Sequence, residues 1–114
     1  MTDTANKLIS SEPSPGRRRQ LIHLGNLMMV VFDFNDGPME EPEAPHSHQH
    51  EQITYVAGGS VTFFRGAEKF ELSEGSMIAV PAGIPHSIQT LTQHVRLIDS
   101  FSPIREDFLK TDNL

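Results

Sequence analysis

Two stretches of the chain decide its fold: PHSHQHEQ at residues 45–52 and GSMIAVPAGIPH at residues 75–86. They hold four of the six histidines, and three of these alternate within the first stretch. Side chains two apart on an extended strand point to the same face, so these three histidines and Gln52 are predicted to project together. Two imidazoles on one face form a natural metal chelate. The alternative is a solvent-exposed polar strand with incidental histidines.

The second stretch has a specific spacing of glycine, proline and histidine. Gly75 is followed after five residues by Pro81, then after one residue by Gly83 and after two more by His86. This spacing resembles the second sequence motif of the cupin family. One position departs from the motif, because Thr90 stands where the family pattern ends in asparagine.

The first stretch is similar to the first cupin motif, since His46 and His48 are followed by Gln52 and then by Gly58. The resemblance implies an all-β, single-domain jelly-roll β-barrel whose two motifs line one interior face. It also implies one divalent metal ion, held by the residues that match His46, His48, Gln52 and His86.

Gln52 stands where many cupins carry glutamate. A glutamine ligates through a neutral amide oxygen, so three imidazoles and an amide would surround the dication without compensating its charge. Such a centre should attract an anionic substrate and act as a stronger Lewis acid than one with a carboxylate ligand. Ligation by Glu51 is the alternative, but strand alternation points Glu51 to the other face. His50 is expected outside the ligand set or at the rim.

The donor set does not select the metal, because nickel, zinc, iron, cobalt and manganese all accept imidazole and amide ligands.

The domain organisation is predicted from the length of the chain and from the positions of its turn-forming residues. A chain of 114 residues has room for one domain. Residues 1–16 are predicted to be a flexible lead-in, with the cupin domain at 17–114. No clean helical period occurs between residues 17 and 101, and short apolar or alternating runs between turn residues predict about eight strands. Ser102-Pro103 predicts one short C-terminal helix over 104–110, because the pair offers an N-cap and a first-turn proline.

Two glycine-containing turns are predicted to close hairpins. Gly25-Asn26 joins the runs 20–24 and 27–34, and Gly58-Gly59 joins the runs 53–57 and 61–64. Tight hairpin turns need positive φ, which glycine and asparagine tolerate.

Composition excludes several classes of protein. The chain has no cysteine, which excludes disulfides and thiolate chemistry and favours the cytoplasm. A net charge of −6 argues against a nucleic-acid surface, and no segment approaches the roughly 20 apolar residues of a membrane span. The basic run Arg17-Arg18-Arg19 is interpreted as solvated charge at the start of a strand rather than a binding patch. The cupin resemblance also suggests a homodimer.

The last predicted strand carries an aspartate on its apolar face. Alternation places Val95, Leu97, Asp99 and Phe101 together, which aims a carboxylate into the barrel. A buried aspartate is costly, so it is usually paired, metal-bound or functional. A structural ion pair or a hydrogen-bonded turn is the alternative.

Asp99-x-Phe101-x3-Arg105, combined with Gln52, resembles the KdgF-type cupins of pectin and alginate breakdown. That resemblance implies conversion of a 4,5-unsaturated monouronate, a small anionic sugar, to its linear 4-deoxy-5-keto form. It implies Asp99 as general base or proton shuttle, Arg105 as a clamp on carboxylate or hydroxyl groups, and Phe101 as a wall for the sugar. Without the resemblance, Arg105 is interpreted as an exposed helix charge near Glu106 or Asp107.

Three other functions are compatible with the same residues. They are a metal-dependent cupin dioxygenase of a small acid, a non-catalytic sugar- or metal-binding cupin, and a sugar isomerase or epimerase built on the same barrel.

Overall fold

Short runs of β-branched and aromatic residues, separated by turns, give nine strands and one helix in the computed structural model, which describes residues 8–111. The elements are β1 (Ile9–Ser14), β2 (Arg17–Leu24), β3 (Leu27–Phe34), β4 (Glu51–Gly58), β5 (Ser60–Arg65), β6 (Glu68–Ser73), β7 (Met77–Val80), β8 (His86–Thr90), β9 (Val95–Ser102) and α1 (Glu106–Thr111).

The strands form two antiparallel sheets. The larger has the order β1-β2-β3-β9-β4-β7 and the smaller has the order β6-β5-β8. Their facing sides bury one apolar cluster that includes Val56, Phe63, Val80 and Leu97. A second cluster, around Leu21, Phe101 and Phe108, closes the side that carries β2, β3 and α1. The expected all-β barrel with a short C-terminal helix is confirmed.

One of the two predicted hairpins is correct and the other is wrong. β2 and β3 pair along their full length around Gly25, which has φ 57°. β4 and β5 do not pair, because β4 lies between β9 and β7 whereas β5 lies between β6 and β8. Gly59, with φ 75°, therefore turns the chain from one sheet to the other. A glycine pair shows that the backbone turns sharply but does not show which strand it will meet.

The predicted start of folding at Arg17 is also wrong, because residues 9–14 of the expected lead-in form β1. This strand pairs with β2 in the register Ile9↔Leu21, with an irregularity between Ser11 and Ser14. The partial burial of Ile9 against Leu21 and Phe108 explains why an otherwise polar segment is ordered. Residues 1–7 lie outside the described part of the chain.

The helix begins two residues later than predicted. Ser102 is the last residue of β9 rather than an N-cap, and α1 covers Glu106–Thr111. Phe108 is buried and packs edge-on against Phe101 at a ring-centroid distance of 6.0 Å. Within residues 8–111, no helix has the length and apolar character that crossing a bilayer requires.

Candidate metal centre and active site

Backbone pairing brings the two histidine segments together. His46 and His86 exchange two backbone hydrogen bonds, His46 N to His86 O at 3.0 Å and His86 N to His46 O at 2.8 Å. Gly83, with φ 79°, donates its N–H to the carbonyl of His48. Residues 46–50 therefore form a loop held against the second motif rather than the extended strand predicted. The predicted grouping of His46 with His48 comes from this pairing, not from strand alternation.

Three histidines converge at this point. One nitrogen from each of His46, His48 and His86 lies within 4.8 Å of the others. The His46 and His86 rings are 4.4 Å apart between centroids, and the His48 and His86 rings are 4.9 Å apart. Phe63 stacks parallel to His86 at 6.2 Å and supports it from the barrel interior. Three imidazoles at this separation can bind one ion together.

The hydrogen bonds of the His48 and His86 rings leave one nitrogen of each of these two rings free for a metal. Nδ1 of His86 is 3.0 Å from the carbonyl oxygen of Ile84, and Nδ1 of His48 is 3.1 Å from that of His50. A ring whose Nδ1–H donates to a carbonyl presents an unprotonated Nε2, which is the usual state of a metal-ligating histidine. Nε2 of His48 is buried and has no hydrogen-bond partner. The centre therefore fits a divalent ion.

The protonation of the cluster supports the same conclusion. Burial, followed by repulsion from His86 and Arg105, lowers the pKa of His46 below its ordinary value. Burial, followed by Arg105 and His86, also lowers the pKa of His48. Both imidazoles are thus held in the neutral form that binds metals.

Gln52 and Glu51 face opposite sides of β4. Gln52 is buried and lines the interior cavity, whereas Glu51 is exposed. Nε2 of Gln52 donates to Oγ1 of Thr54 at 2.8 Å. The amide oxygen is thereby directed away from Thr54 and is the atom through which Gln52 could join the three histidines.

His50 stands beside the centre but outside the group of three. Its ring is 5.2 Å from that of His48 and 6.5 Å from that of Phe101. The backbone carbonyl of His50 accepts the hydrogen bond from the His48 ring. His50 therefore orients His48 through its main chain and not through its own side chain.

Asp99 points into the barrel, as the alternation of β9 predicts. It is 6% exposed, and its Oδ1 accepts a hydrogen bond of 2.7 Å from Thr54. Burial raises the pKa of Asp99 to about 7, although the Thr54 hydrogen bond and the charge of Arg105 act in the opposite direction. A carboxyl with a pKa near neutrality can both accept and return a proton at physiological pH.

Phe101 and Arg105 complete this side of the site. Phe101 is 1% exposed, and its ring lies 5.8 Å from that of His48. The Arg105 guanidinium stacks on the Phe108 ring at 3.9 Å and lies 5.5 Å from the Phe101 ring. Nη2 of Arg105 donates to Asp107 at 2.8 Å, and the arginine side chain is only 16% exposed. Arg105 is paired with Asp107, but it is mostly buried, precedes α1 and lines the cavity, so the alternative interpretation as an exposed helix charge is wrong.

One cavity of about 390 Å³ joins these groups, a size typical of small-molecule sites. Its lining includes six of the seven residues predicted for the site: His46, Gln52, His86, Asp99, Phe101 and Arg105. The seventh, His48, contacts the site through His86.

Two arginines of the cavity were interpreted wrongly from sequence. Arg19 is 6% exposed, lines the cavity and lies over the Phe108 ring at 4.3 Å. Arg17 also lines the cavity and pairs with Glu43 at 2.7 Å. Of the basic run, Arg18 is the member that is exposed. Alternation from the buried Leu21 places Arg17 and Arg19 inside, and this signal could have identified them.

A two-sheet β-barrel with three converging histidines at one end of an interior cavity is the architecture of a metal-site cupin. The cupin domain family matches residues 30–101. A pectin degradation protein, KdgF of Dickeya dadantii (strain 3937), is 37% identical over 100 residues, which cover 86% of this chain and 88% of that protein. The chain belongs to the cupin family and, within it, to the KdgF-type cupins.

Solved structures give the same relationship. KdgF from Halomonas sp. is 33% identical and superposes with a TM-score of 0.77 over 87% of this chain and 91% of that one. An RmlC-like cupin from Shewanella frigidimarina NCIMB 400 is 30% identical, with a TM-score of 0.78 over 90% of this chain and 89% of that one.

Proposed function

We propose that this protein opens the ring of 4,5-unsaturated monouronates from pectin or alginate breakdown, giving the linear 4-deoxy-5-keto uronate. The observation that carries the proposal is a buried carboxyl, Asp99, with a pKa raised to about 7, in the same cavity as the histidine cluster and Arg105. The similarity to a KdgF named for pectin degradation supports the substrate class.

The charges around the cavity suit an anionic sugar. The chain carries a net charge of −6, yet this one cavity is lined by three arginines, Arg17, Arg19 and Arg105, against two carboxyl groups, Glu43 and Asp99. Guanidinium groups bind carboxylates with two parallel hydrogen bonds, which fixes the orientation of the ligand as well as attracting it. Phe101 offers an apolar wall against which a sugar ring can pack.

The reaction moves one proton from the C1 hydroxyl to C4 in two transfers and needs no oxidant. Asp99 removes the proton of the C1 hydroxyl, the C1 carbonyl forms, and the bond between C1 and the ring oxygen breaks. The electrons of that bond remain on the ring oxygen as an enolate at C5, and Asp99 returns the proton to C4 to give the ketone. A divalent ion bound by His46, His48, Gln52 and His86 would supply positive charge where the oxygen becomes negative.

The test is to incubate the metal-loaded protein with 4,5-unsaturated galacturonate and with the corresponding alginate-derived uronate. Loss of the ultraviolet absorbance of the conjugated enol ether, faster than the spontaneous rate, is the expected result. Oxygen consumption would point instead to a dioxygenase, and a product that keeps the ring and double bond would point to an epimerase. Binding without turnover would indicate a non-catalytic cupin.

Arg105→Lys is expected to raise KM for the uronate by about ten-fold, because lysine keeps the charge but loses the planar fork that binds a carboxylate. kcat should fall less, since Asp99 and the histidines are untouched. Steady-state kinetics measure both constants. Arg65→Lys is the matched control, because Arg65 pairs with Glu68 on the surface. An unchanged KM in Arg105→Lys would show that Arg105 does not bind the carboxylate of the uronate in the proposed way.

We also propose that the protein works as a homodimer, in the cytoplasm, formed through the outer face of the larger sheet. Four apolar side chains are exposed there: Met29 on β3, Ile53 and Tyr55 on β4, and Met77 on β7, with β9 lying between β3 and β4. On this outer face, the charged side chains of β4 and β9 are Glu51 and Arg96, which lie toward the strand ends in register with Ser102 and Gly58. A contiguous apolar patch of this kind marks an interface, and a sheet face can meet its own copy about a two-fold axis.

Tyr55→Glu is expected to convert the dimer to a monomer, because it buries an unpaired charge at the centre of that face. Light scattering coupled to size-exclusion chromatography measures the mass. Leu91→Glu, an exposed apolar position in the turn between β8 and β9, is the control and should leave the mass unchanged. A monomeric parent protein, or a dimeric Tyr55→Glu, would contradict this interface.

A further inference from the structure

Thr54 connects two functional side chains that come from different strands. It is completely buried at the centre of β4, and β9 places Asp99 directly opposite it. Gln52 Nε2 donates to Thr54 Oγ1 at 2.8 Å, and Thr54 Oγ1 donates to Asp99 Oδ1 at 2.7 Å. A continuous path of two hydrogen bonds thus runs from the amide beside the histidines to the carboxyl group.

When Asp99 is ionised, as the proposed base must be, proton count fixes the direction of both hydrogen bonds. A hydroxyl has one proton to donate, and an ionised carboxylate can only accept. Thr54 must therefore donate its hydroxyl proton to ionised Asp99 and accept a hydrogen bond from the Gln52 amide. Only the NH₂ end of the amide can face Thr54 under this condition, so the amide oxygen has to point the other way.

This arrangement also explains the choice of glutamine over glutamate. A glutamate at position 52 has no proton to donate when ionised, so two carboxylates would compete for the single hydroxyl proton of Thr54. One of the two buried carboxylates would then lack a hydrogen-bond donor, which would lower the stability of the folded protein. Glutamine at 52 and aspartate at 99 are compatible because Thr54 lies between them.

We propose that Thr54 is a positioning residue that orients the Gln52 amide oxygen toward the metal and holds Asp99 in place for proton transfer. The second half of this inference rests on the proposed function, whereas the first half concerns metal binding alone. The alternative is that Thr54 is an ordinary core residue whose hydroxyl is satisfied by whatever lies near it. In that case its removal would affect stability without acting specifically through Gln52.

The test is a double-mutant cycle on the full chain, with Zn²⁺ alone as the probe and affinity measured by competition with a chromophoric chelator. Thr54→Val removes the hydroxyl at nearly constant volume and frees the amide to turn its NH₂ group toward the histidines. We expect Zn²⁺ affinity to fall about ten-fold in the parent chain but to change less than about two-fold when Gln52→Ala is already present. Thr54→Ser, which keeps the hydroxyl, should restore parent affinity.

Two outcomes would overturn the inference: Zn²⁺ affinity unchanged by Thr54→Val in the parent chain, or an equal loss in the Gln52→Ala background. Should Thr54→Val fail to fold, Thr54→Ala is carried through the same cycle. Turnover of the unsaturated uronate is measured separately on each variant. If the Zn²⁺ coupling is found but the parent protein does not turn over the uronate, the orienting role of Thr54 stands and the proposed function is wrong. The two hypotheses can therefore fail independently.

Discussion

Replacement of Asp99 by asparagine is expected to lower kcat/KM for the unsaturated uronate by about a thousand-fold, a loss typical of a removed general base. Asparagine has the same shape and can still accept the hydrogen bond from Thr54. It cannot take up the C1 proton or return it to C4. Metal content should be unchanged, because Asp99 is not among the proposed ligands.

The same substitution should stabilise the metal-free protein at neutral and alkaline pH. The folded pKa of Asp99, about 7, lies above the ordinary value of 3.8, so the native state binds more protons than the unfolded state between these values. Stability is therefore lost as pH rises through this window and stays low above it. Asparagine removes that loss, which amounts to a few kcal/mol at most.

The measurement is a series of urea or thermal unfolding curves of metal-free protein from acidic to alkaline pH. Asp33→Asn is the matched control, since Asp33 is also buried but pairs with Arg96 on the outer side of the same sheet at 2.7 Å. Removing that paired charge should destabilise the protein and leave turnover intact. A turnover of Asp99→Asn close to that of the parent would exclude Asp99 as the base.

The barrel and the identity of the clustered side chains could be predicted because the two motifs resemble those of the cupin family, whereas strand alternation alone wrongly placed His46 and His48 on an extended strand. The spacing from Gly75 to His86 reflects a turn and a strand start that only certain residues accommodate. The alternation of β9 likewise follows from burial on one face, which places Asp99 inside. These features depend on neighbours along the chain, and periodicity reveals such neighbours directly.

Features that depend on pairing between distant strands could not be predicted in the same way. The contact of Thr54 with Asp99 arises from the register of β4 against β9, which no local pattern specifies. The turn at Gly59 passes between sheets because β4 pairs with β9 and β7, whereas β5 pairs with β6 and β8. The alternation of β2 indicates that Arg19 faces inward, but its contact with the Phe108 ring, at the opposite end of the sequence, depends on tertiary packing.

Replacement of His48 by alanine is expected to weaken binding of a divalent metal by more than about 100-fold and to abolish turnover with it. The metal ion would lose one of the three imidazoles of the cluster. Even substitutions of residues that only support metal ligands lower metal affinity by about 10- to 100-fold, so loss of a ligand should cost more. Without metal, the variant should remain folded, because the deletion also removes a buried Nε2 that has no hydrogen-bond partner. Added metal should therefore stabilise the parent protein against unfolding but should not stabilise His48→Ala.

Thermal unfolding with and without added Zn²⁺ distinguishes this loss of binding from misfolding, and elemental analysis after gel filtration reports occupancy. His94→Ala is the control, since His94 is about half exposed and contacts Asn35 and Asp33 away from the cluster. Acidification should imitate His48→Ala in the parent, because the neutral imidazoles that bind metal become protonated as pH falls below their lowered pKa values. Full occupancy in His48→Ala at one equivalent of Zn²⁺ would place the metal elsewhere, and the role of the histidine cluster would then have to be assigned anew.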